Sequence, residues 1–281
     1  MKLLRWGPPG AEKPGLMDNT GTIRDLSDVV ADIDGHTLSP AGLGKLAGID
    51  AHTLPVLHGT HRIGPCIARP LNFVCIGLNY ADHAAETNSP IPKEPIIFLK
   101  SLGAYSGPYD DVKMPRGSKK TDWEVELAIV IGSTASYVPE SEAMAHVAGY
   151  CIVNDVSERE YQIERGGTWD KGKGCDTFGP TGPWMVTRDE VADPQDLVLW
   201  SEVDGQRMQN GNTRTMIFSV VKLVSYVSHF ITLHPGDIIA TGTPPGVGMG
   251  KKPEPIFLRP GQVMRLGVAG LGEQRQTVVA A

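Results

Sequence analysis

Asp122-Trp123-Glu124-Val125-Glu126-Leu127-Ala128-Ile129-Val130-Ile131-Gly132 constrains this chain more than any other stretch. Its β-branched and aromatic residues, period-two alternation and closing glycine predict a β-strand. Successive strand side chains point to opposite faces. Trp123, Val125, Leu127, Ile129 and Ile131 therefore share one face, and Glu124 and Glu126 share the other with Ala128 and Val130. Both faces are otherwise apolar, so the strand reads as buried. Two like charges buried side by side are costly unless they pair, protonate or bind a cation. Oxygen donors with no cysteine pair nearby favour a hard ion, Mg²⁺ first, then Mn²⁺ or Ca²⁺. The alternative is an edge strand with a solvated acidic face, in keeping with the usual exposure of glutamate.

Composition narrows the class. The chain has 281 residues, 41% of them hydrophobic, enough for a packed core in one or two domains. Net charge is -6 and the basic residues are scattered, which argues against nucleic acid or an anionic membrane as partner. No apolar run approaches 18 residues, and the N-terminus lacks a signal-peptide-like apolar stretch. Cys66, Cys75, Cys151 and Cys175 show no Cys-x-x-Cys spacing and read as reduced thiols of a cytoplasmic protein. The 33 glycines and 22 prolines point to many short strands and turns rather than a helix bundle.

Residues 1–68 read as a small N-terminal α/β unit, with short strands at Lys2–Trp6, Gly15–Met17 and Thr22–Asp25. Ser39-Pro40 opens a helix through Leu46 as N-cap and first-turn proline. Residues 69–281 form the second unit. Strands are expected at Phe73–Gly77, Ile96–Lys100, Tyr150–Val153, Asp237–Ala240 and Gln262–Val268. Helices are expected at His83–Thr87, capped by Asp82, and at Glu140–Ala148, with amphipathic periodicity over Thr215–Leu233. Ser157–Glu164 reads as a turn or short helix, and Gly166–Gly182 as a loop.

Several residues in this second unit carry chemistry. Asp155 leaves an apolar strand, placed either to complete a metal site with Glu124 and Glu126 or to cap a following helix. His83 and Glu86 are i and i+3 on a helix, so the carboxylate can orient the imidazole as a general base needs. The alternative is a surface pair. Lys173, among glycines, can offer a cation to a carboxylate or oxyanion, or be a mobile surface lysine. Thr241-Gly242-Thr243-Pro244 follows a strand and can present amides and a hydroxyl to an anion. Neither a Walker loop nor a dinucleotide fingerprint is present.

In combination these motifs resemble the fumarylacetoacetate hydrolase superfamily. The matching segments are Gly77–Glu86, Phe98–Lys100, Asp122–Leu127, Asn154–Ser157, Lys171–Trp184 and Thr241–Pro244, and the likeness spans about residues 70–281. The resemblance implies an α+β, mostly β, fold: a mixed β-roll catalytic domain with a small N-terminal domain. It implies Mg²⁺ or Mn²⁺ on Glu124, Glu126 and Asp155, and a catalytic His83–Glu86 pair within a lid. It also implies a catalytic Lys173, and substrate contacts from Gln162, Thr243 and Lys100. The larger members carry a further aspartate ligand upstream of the histidine. Val74-Cys75-Ile76-Gly77-Leu78 has none, which aligns the chain with shorter bacterial members. Those include acylpyruvate and diketo-deoxy-sugar-acid hydrolases, oxaloacetate decarboxylases, hydroxyheptadienedioate isomerases and proteins named ureidoglycolate lyase.

The expected reaction is hydrolysis of a carbon–carbon bond in a small 2,4-dioxo acid through a metal-bound enolate. A lyase, decarboxylase or isomerase of the same superfamily is the alternative, and a non-catalytic metal- or ligand-binding protein is a second. Three carboxylates with a divalent ion leave the site at about -1, so a small anionic 2-oxo acid needs Lys173 or protonated His83 to balance it. A homodimer is expected from the resemblance.

Overall fold

The computed structural model describes residues Met1–Ala281, and a ten-stranded sheet organises them. From one edge its main path runs Ile23–Asp25, Lys13–Met17, Lys2–Trp6, Gly179–Thr187, Val147–Asn154, Val125–Ile131, Ile238–Ala240, Phe73–Gly77 and Ile96–Leu99, and Tyr105–Ser106 pairs off the path with Gly179–Thr187. Most neighbours are antiparallel; Ile238–Ala240 runs parallel to Phe73–Gly77. A five-stranded sheet takes Gln206–Asn212, Val198–Val203, Val263–Val268, Gly272–Ala280 and Val112–Met114. The fold is α+β with a preponderance of strand, as the resemblance implies.

Val125–Ile131 lies between two partner strands and is buried at every position, so it is not an edge strand. Its alternation works as the sequence implies. Val125, Leu127, Ile129 and Ile131 enter one apolar cluster with Leu199 and Leu266 of the second sheet. Val220, Leu223, Val224 and Val227, from the helix Val220–Ser228, complete that layer. Ala128 and Val130 face the other way, into a cluster with Phe73, Cys75, Cys151 and Val153. Leu3, Leu16, Leu26, Ile33 and Leu38 close this second cluster, so one core takes residues from both sides of position 68. Each such side chain contributes about 1.5–3 kcal/mol on full burial. Residues 26–67, which follow the N-terminal strands, thus pack on the sheet face that Ala128 and Val130 share with Glu124 and Glu126.

Four local expectations are corrected. Glu140–Ala148 does not form a helix: only Ala143–His146 makes a 3₁₀ turn, and Val147 already enters a strand paired on both sides. Ladder pairing overrides helix propensity there. The short helix spans Ala81–Glu86 and starts at Tyr80 without a side-chain cap. Asp82 lies inside the first turn, accepting from the His83 amide and from Thr215 Oγ1. Ser157–Glu158 pairs with Thr121–Asp122 as a two-residue ladder, and the expected short helix is confined to Glu160–Glu164, so Asp155 caps no helix. The Gly166–Gly182 stretch contains a helical turn, Asp170–Lys173, and the start of the strand Gly179–Thr187. All four cysteines are free, three of them buried. No helix is long and apolar enough to cross a membrane.

Candidate active site

The site forms where the central strand begins. Glu126 pairs with Val153 across the ladder, and the same register carried two residues further sets Asp155 opposite Glu124. The Asp155 amide donates to the Glu124 carbonyl at 2.9 Å, fixing that alignment. Opposed residues share a face in an antiparallel pair, so three carboxylates converge. Oxygens of Glu124, Glu126 and Asp155 lie within 4.8 Å of one another, and all three residues are buried.

Three cations compensate this charge. Lys173 Nζ bridges Glu124 Oε2 at 2.6 Å and Asp155 Oδ2 at 2.8 Å. Lys100 Nζ lies 2.6 Å from Asp155 Oδ1. Arg159 Nη2 lies 2.6 Å from Glu124 Oε1 and 2.8 Å from Asp122 Oδ2. Burial raises the Glu124 carboxyl, but Lys173 and Arg159 outweigh it and hold the group down at about 2. Burial tends to deprotonate Lys173, yet Asp155 and Glu124 raise its pKa above the ordinary value. Glu126 has no such partner. It accepts one amide hydrogen bond, from Gly242 at 2.9 Å. Burial first, then Asp155 and Glu124, push its carboxyl well above the usual range. Gly242 adopts φ +94°, and a side chain there would press on Asn79, so the turn that offers this amide needs glycine.

The donor set fits a divalent cation. All donors are hard oxygens, Glu126 lacks a counter-charge, and Asp155 Oδ1 is buried without a hydrogen bond of proper geometry. Asp155 is therefore brought to the position the sequence suggested.

His83 stands across the cavity. Its Nδ1 lies 3.0 Å from Glu86 Oε2, and Glu86 Oε1 accepts from the Gly246 amide at 2.8 Å. The pair is partly buried rather than a free surface pair. Nε2 makes no hydrogen bond within the chain and His83 lines the cavity. The helix bearing it is anchored by Asn79, whose side chain donates to the Thr241 and Phe218 carbonyls.

A cavity of about 190 Å³ collects these groups: His83, Glu124, Glu126, Asp155, Gln162, Lys173 and Thr243 all line it. Gln162 Oε1 accepts from Arg159 Nη1 at 3.1 Å. Thr243 Oγ1 donates to the Val125 carbonyl and accepts from Gln209 Nε2. Lys100 is the exception among the sequence-derived residues. Its side chain is fully buried, outside the cavity lining, with Nζ donating to the carbonyls of Val156, Lys173 and Phe178 as well as facing Asp155. It is placed to hold Asp155, not to meet a ligand.

Sequence reasoning missed Asp122, Arg159 and Trp169. Asp122 accepts from the Gly248 and Met249 amides and from Arg159 Nε. The signal for Arg159 was the surplus of buried carboxylate itself, which demands cations. Trp169 forms a wall of the cavity, and a Cβ at Gly77 would overlap its ring, so Gly77 makes room for it. With Asp122, Arg159 and Lys100 included, the charge balance differs from the three-carboxylate count.

Comparison with known proteins gives the family. The family profile described as fumarylacetoacetate (FAA) hydrolase C-terminal matches residues 72–279. The chain belongs to the fumarylacetoacetate hydrolase family. A relative from Burkholderia multivorans, named only provisionally as a hydrolase, is 62% identical over the full length of both chains. Among solved structures, a fumarylacetoacetate hydrolase from Exiguobacterium antarcticum shares 34% identity with a TM-score of 0.88, covering 100% of each chain. A probable 2-hydroxyhepta-2,4-diene-1,7-dioate isomerase from Mycobacterium abscessus shares 32%, TM-score 0.84, covering 100% of this chain and 99% of that one. A maleylpyruvate hydrolase from Sphingobium, solved with manganese(II) and pyruvate, shares 27%, TM-score 0.83, covering 100% of each. The chain is an enzyme of this family, whose neighbours are hydrolases and isomerases.

Proposed function

We propose that this enzyme is a divalent-metal-dependent hydrolase that cleaves a carbon–carbon bond in a small 2,4-dioxo acid. The observation that carries this reading is the convergence of three buried carboxylates, Lys173 and the His83–Glu86 pair on one cavity. Glu124, Glu126 and Asp155 would hold Mg²⁺ or Mn²⁺. Bound there, the ion would supply a Lewis acid that polarises the substrate's 2-oxo group. The manganese and pyruvate in the maleylpyruvate hydrolase similar to this chain support that assignment.

The chain's own residues do the rest. Glu86, fixed by the Gly246 amide, orients His83 through Nδ1 and leaves Nε2 to take a proton from water. The hydroxide equivalent adds to the 4-carbonyl carbon. The C3–C4 bond then breaks, its electron pair passing to C3, which a proton from His83 completes as pyruvate. The Lys173 ammonium stabilises negative charge that develops near it. Lys100 holds Asp155, and Arg159 holds Glu124 and Gln162. A homodimer is part of the same reading, checked by sedimentation at micromolar concentration.

A second reading is favoured by the isomerase among similar structures: the same pair moves a proton without an attacking water. Rates with a panel of 2,4-dioxo acids, with and without Mg²⁺, test both. Stoichiometric release of pyruvate and a carboxylic acid supports the hydrolase; an isomer or CO₂ with no such pair of products overturns it.

A further inference from the structure

The inner and outer halves of the cavity differ in kind. Inside, four buried carboxylates (Asp122, Glu124, Glu126, Asp155) meet three buried cations (Lys100, Arg159, Lys173). That cluster is one negative charge from neutral. A divalent ion takes it to one positive charge, and one ligand carboxylate completes the balance. The His83–Glu86 pair adds no net positive charge in either protonation state of the histidine.

Phe98 borders that cluster, with Lys173 Nζ 5.2 Å from its ring centroid, and the rest of the apolar wall includes Leu78, Ile96, Ile163, Trp169 and Met249. The polar groups there are the hydroxyls of Thr87 and Ser89, which bond to each other at 3.0 Å. Arg159 and Lys173 are the Arg and Lys residues that line the cavity, and both are engaged with carboxylates. Arg165 and Lys171, which flank Trp169 in sequence, do not line it. Arg165 Nε lies 3.2 Å from Glu160, and Lys171 Nζ donates to the Arg165 carbonyl. A second carboxylate at the far end of a ligand would lie against apolar carbon with no free cation, losing part of its hydration at the half-exposed rim of Ile96 and Ile163 without a partner to replace it.

We propose that this cavity selects 2-oxo acids that carry a single carboxylate and an uncharged, apolar far end, and rejects those that end in a second carboxylate. This rests on the proposed function above, in which the oxo-acid end lies at the carboxylate triad. It separates this chain from the similar isomerase, which is named for a dioate.

The test is calorimetry on the full chain in saturating Mg²⁺ with 2-oxohexanoate and 2-oxohexanedioate, which match in length and lack the 4-oxo group needed for cleavage. The monocarboxylate is expected to bind at least about tenfold tighter, a ratio equal to about 1.4 kcal/mol. The kcat/KM ratio for 2,4-dioxoheptanoate over 2,4-dioxoheptanedioate should follow it. Ile163→Lys sets a cation on the half-exposed rim and should narrow the gap severalfold, the dicarboxylate gaining affinity while the monocarboxylate gains none. Equal or tighter binding of the dicarboxylate by the native protein, or a gap unmoved by Ile163→Lys, overturns the selectivity and leaves the metal-anchored reading standing. If neither acid binds in Mg²⁺, the proposed function falls and the selectivity with it.

Discussion

Asp18 and Glu126 are both buried carboxylates, one in a turn at the edge of the large sheet and one in its central strand, and their surroundings drive them in opposite directions. Asp18 opens the turn between the strands Lys13–Met17 and Ile23–Asp25. Thr20 donates to it through hydroxyl and amide, Thr22 through its amide, and Arg24 through Nε at 2.8 Å. The Thr20 hydroxyl leads these donors in holding the carboxyl well below its usual value. Glu126 receives one amide and faces two further carboxylates, so burial and like charge push it up. Burial alone therefore does not mark a functional acid. Asp18 is closed by donors and has nothing left to offer. Glu126 is kept short of partners beside a cavity, which is what a cation site requires.

The sharpest break of this contrast is Glu126→Ala. A Lewis acid contributes several kcal/mol, so metal-dependent turnover should fall about a thousandfold or more. Wild-type activity of the variant in chelator-treated buffer would remove Glu126 from the metal site. His83→Ala comes next: turnover should drop about a hundredfold or more, while calorimetry shows Mg²⁺ affinity kept. A loss of affinity matching that of Glu124→Ala would make His83 a ligand instead. Lys173→Met should weaken oxalate binding about tenfold by removing a charge-assisted contact of about 1.5–3 kcal/mol, much more than it changes metal affinity. Equal oxalate affinity in both proteins would leave Lys173 without a role in anion recognition.

The smallest effects are of opposite sign and test the comparison directly. In metal-free protein, Asp18→Asn should lower Tm at pH 7, whereas Glu126→Gln should raise it, each by roughly 2–4 °C. For Asp18 the folded pKa lies below the unfolded value, so its contribution is complete above the unfolded pKa of 3.8 and fades as pH falls from there. The Asp18→Asn deficit should shrink in thermal scans below about pH 4. Shifts of the same sign in the two variants would end the distinction drawn here.

Much of the site was legible before the structure. A strand's period of two is a property of the backbone, so the alternation in Asp122–Gly132 was enough to put Glu124 and Glu126 on one face. A helix brings i and i+3 together wherever it forms, so His83 meets Glu86 even though the helix starts earlier than its cap residue suggested. Asp155, Lys173 and Thr243 were candidates on local grounds, family resemblance gave them roles and added Gln162, and all four line the same cavity as that pair.

What local pattern could not supply was compensation. Asp155 faces Glu124 because two strands align in one register among several. Arg159 reaches Asp122 and Glu124 through a two-residue ladder over a segment that reads as a turn or short helix. Lys100 turns from the cavity to hold Asp155 from behind. Periodicity is local and survives in the sequence. The cost of a buried charge is settled by whichever opposite charge lies within a few ångströms, and only the tertiary structure brings those residues together.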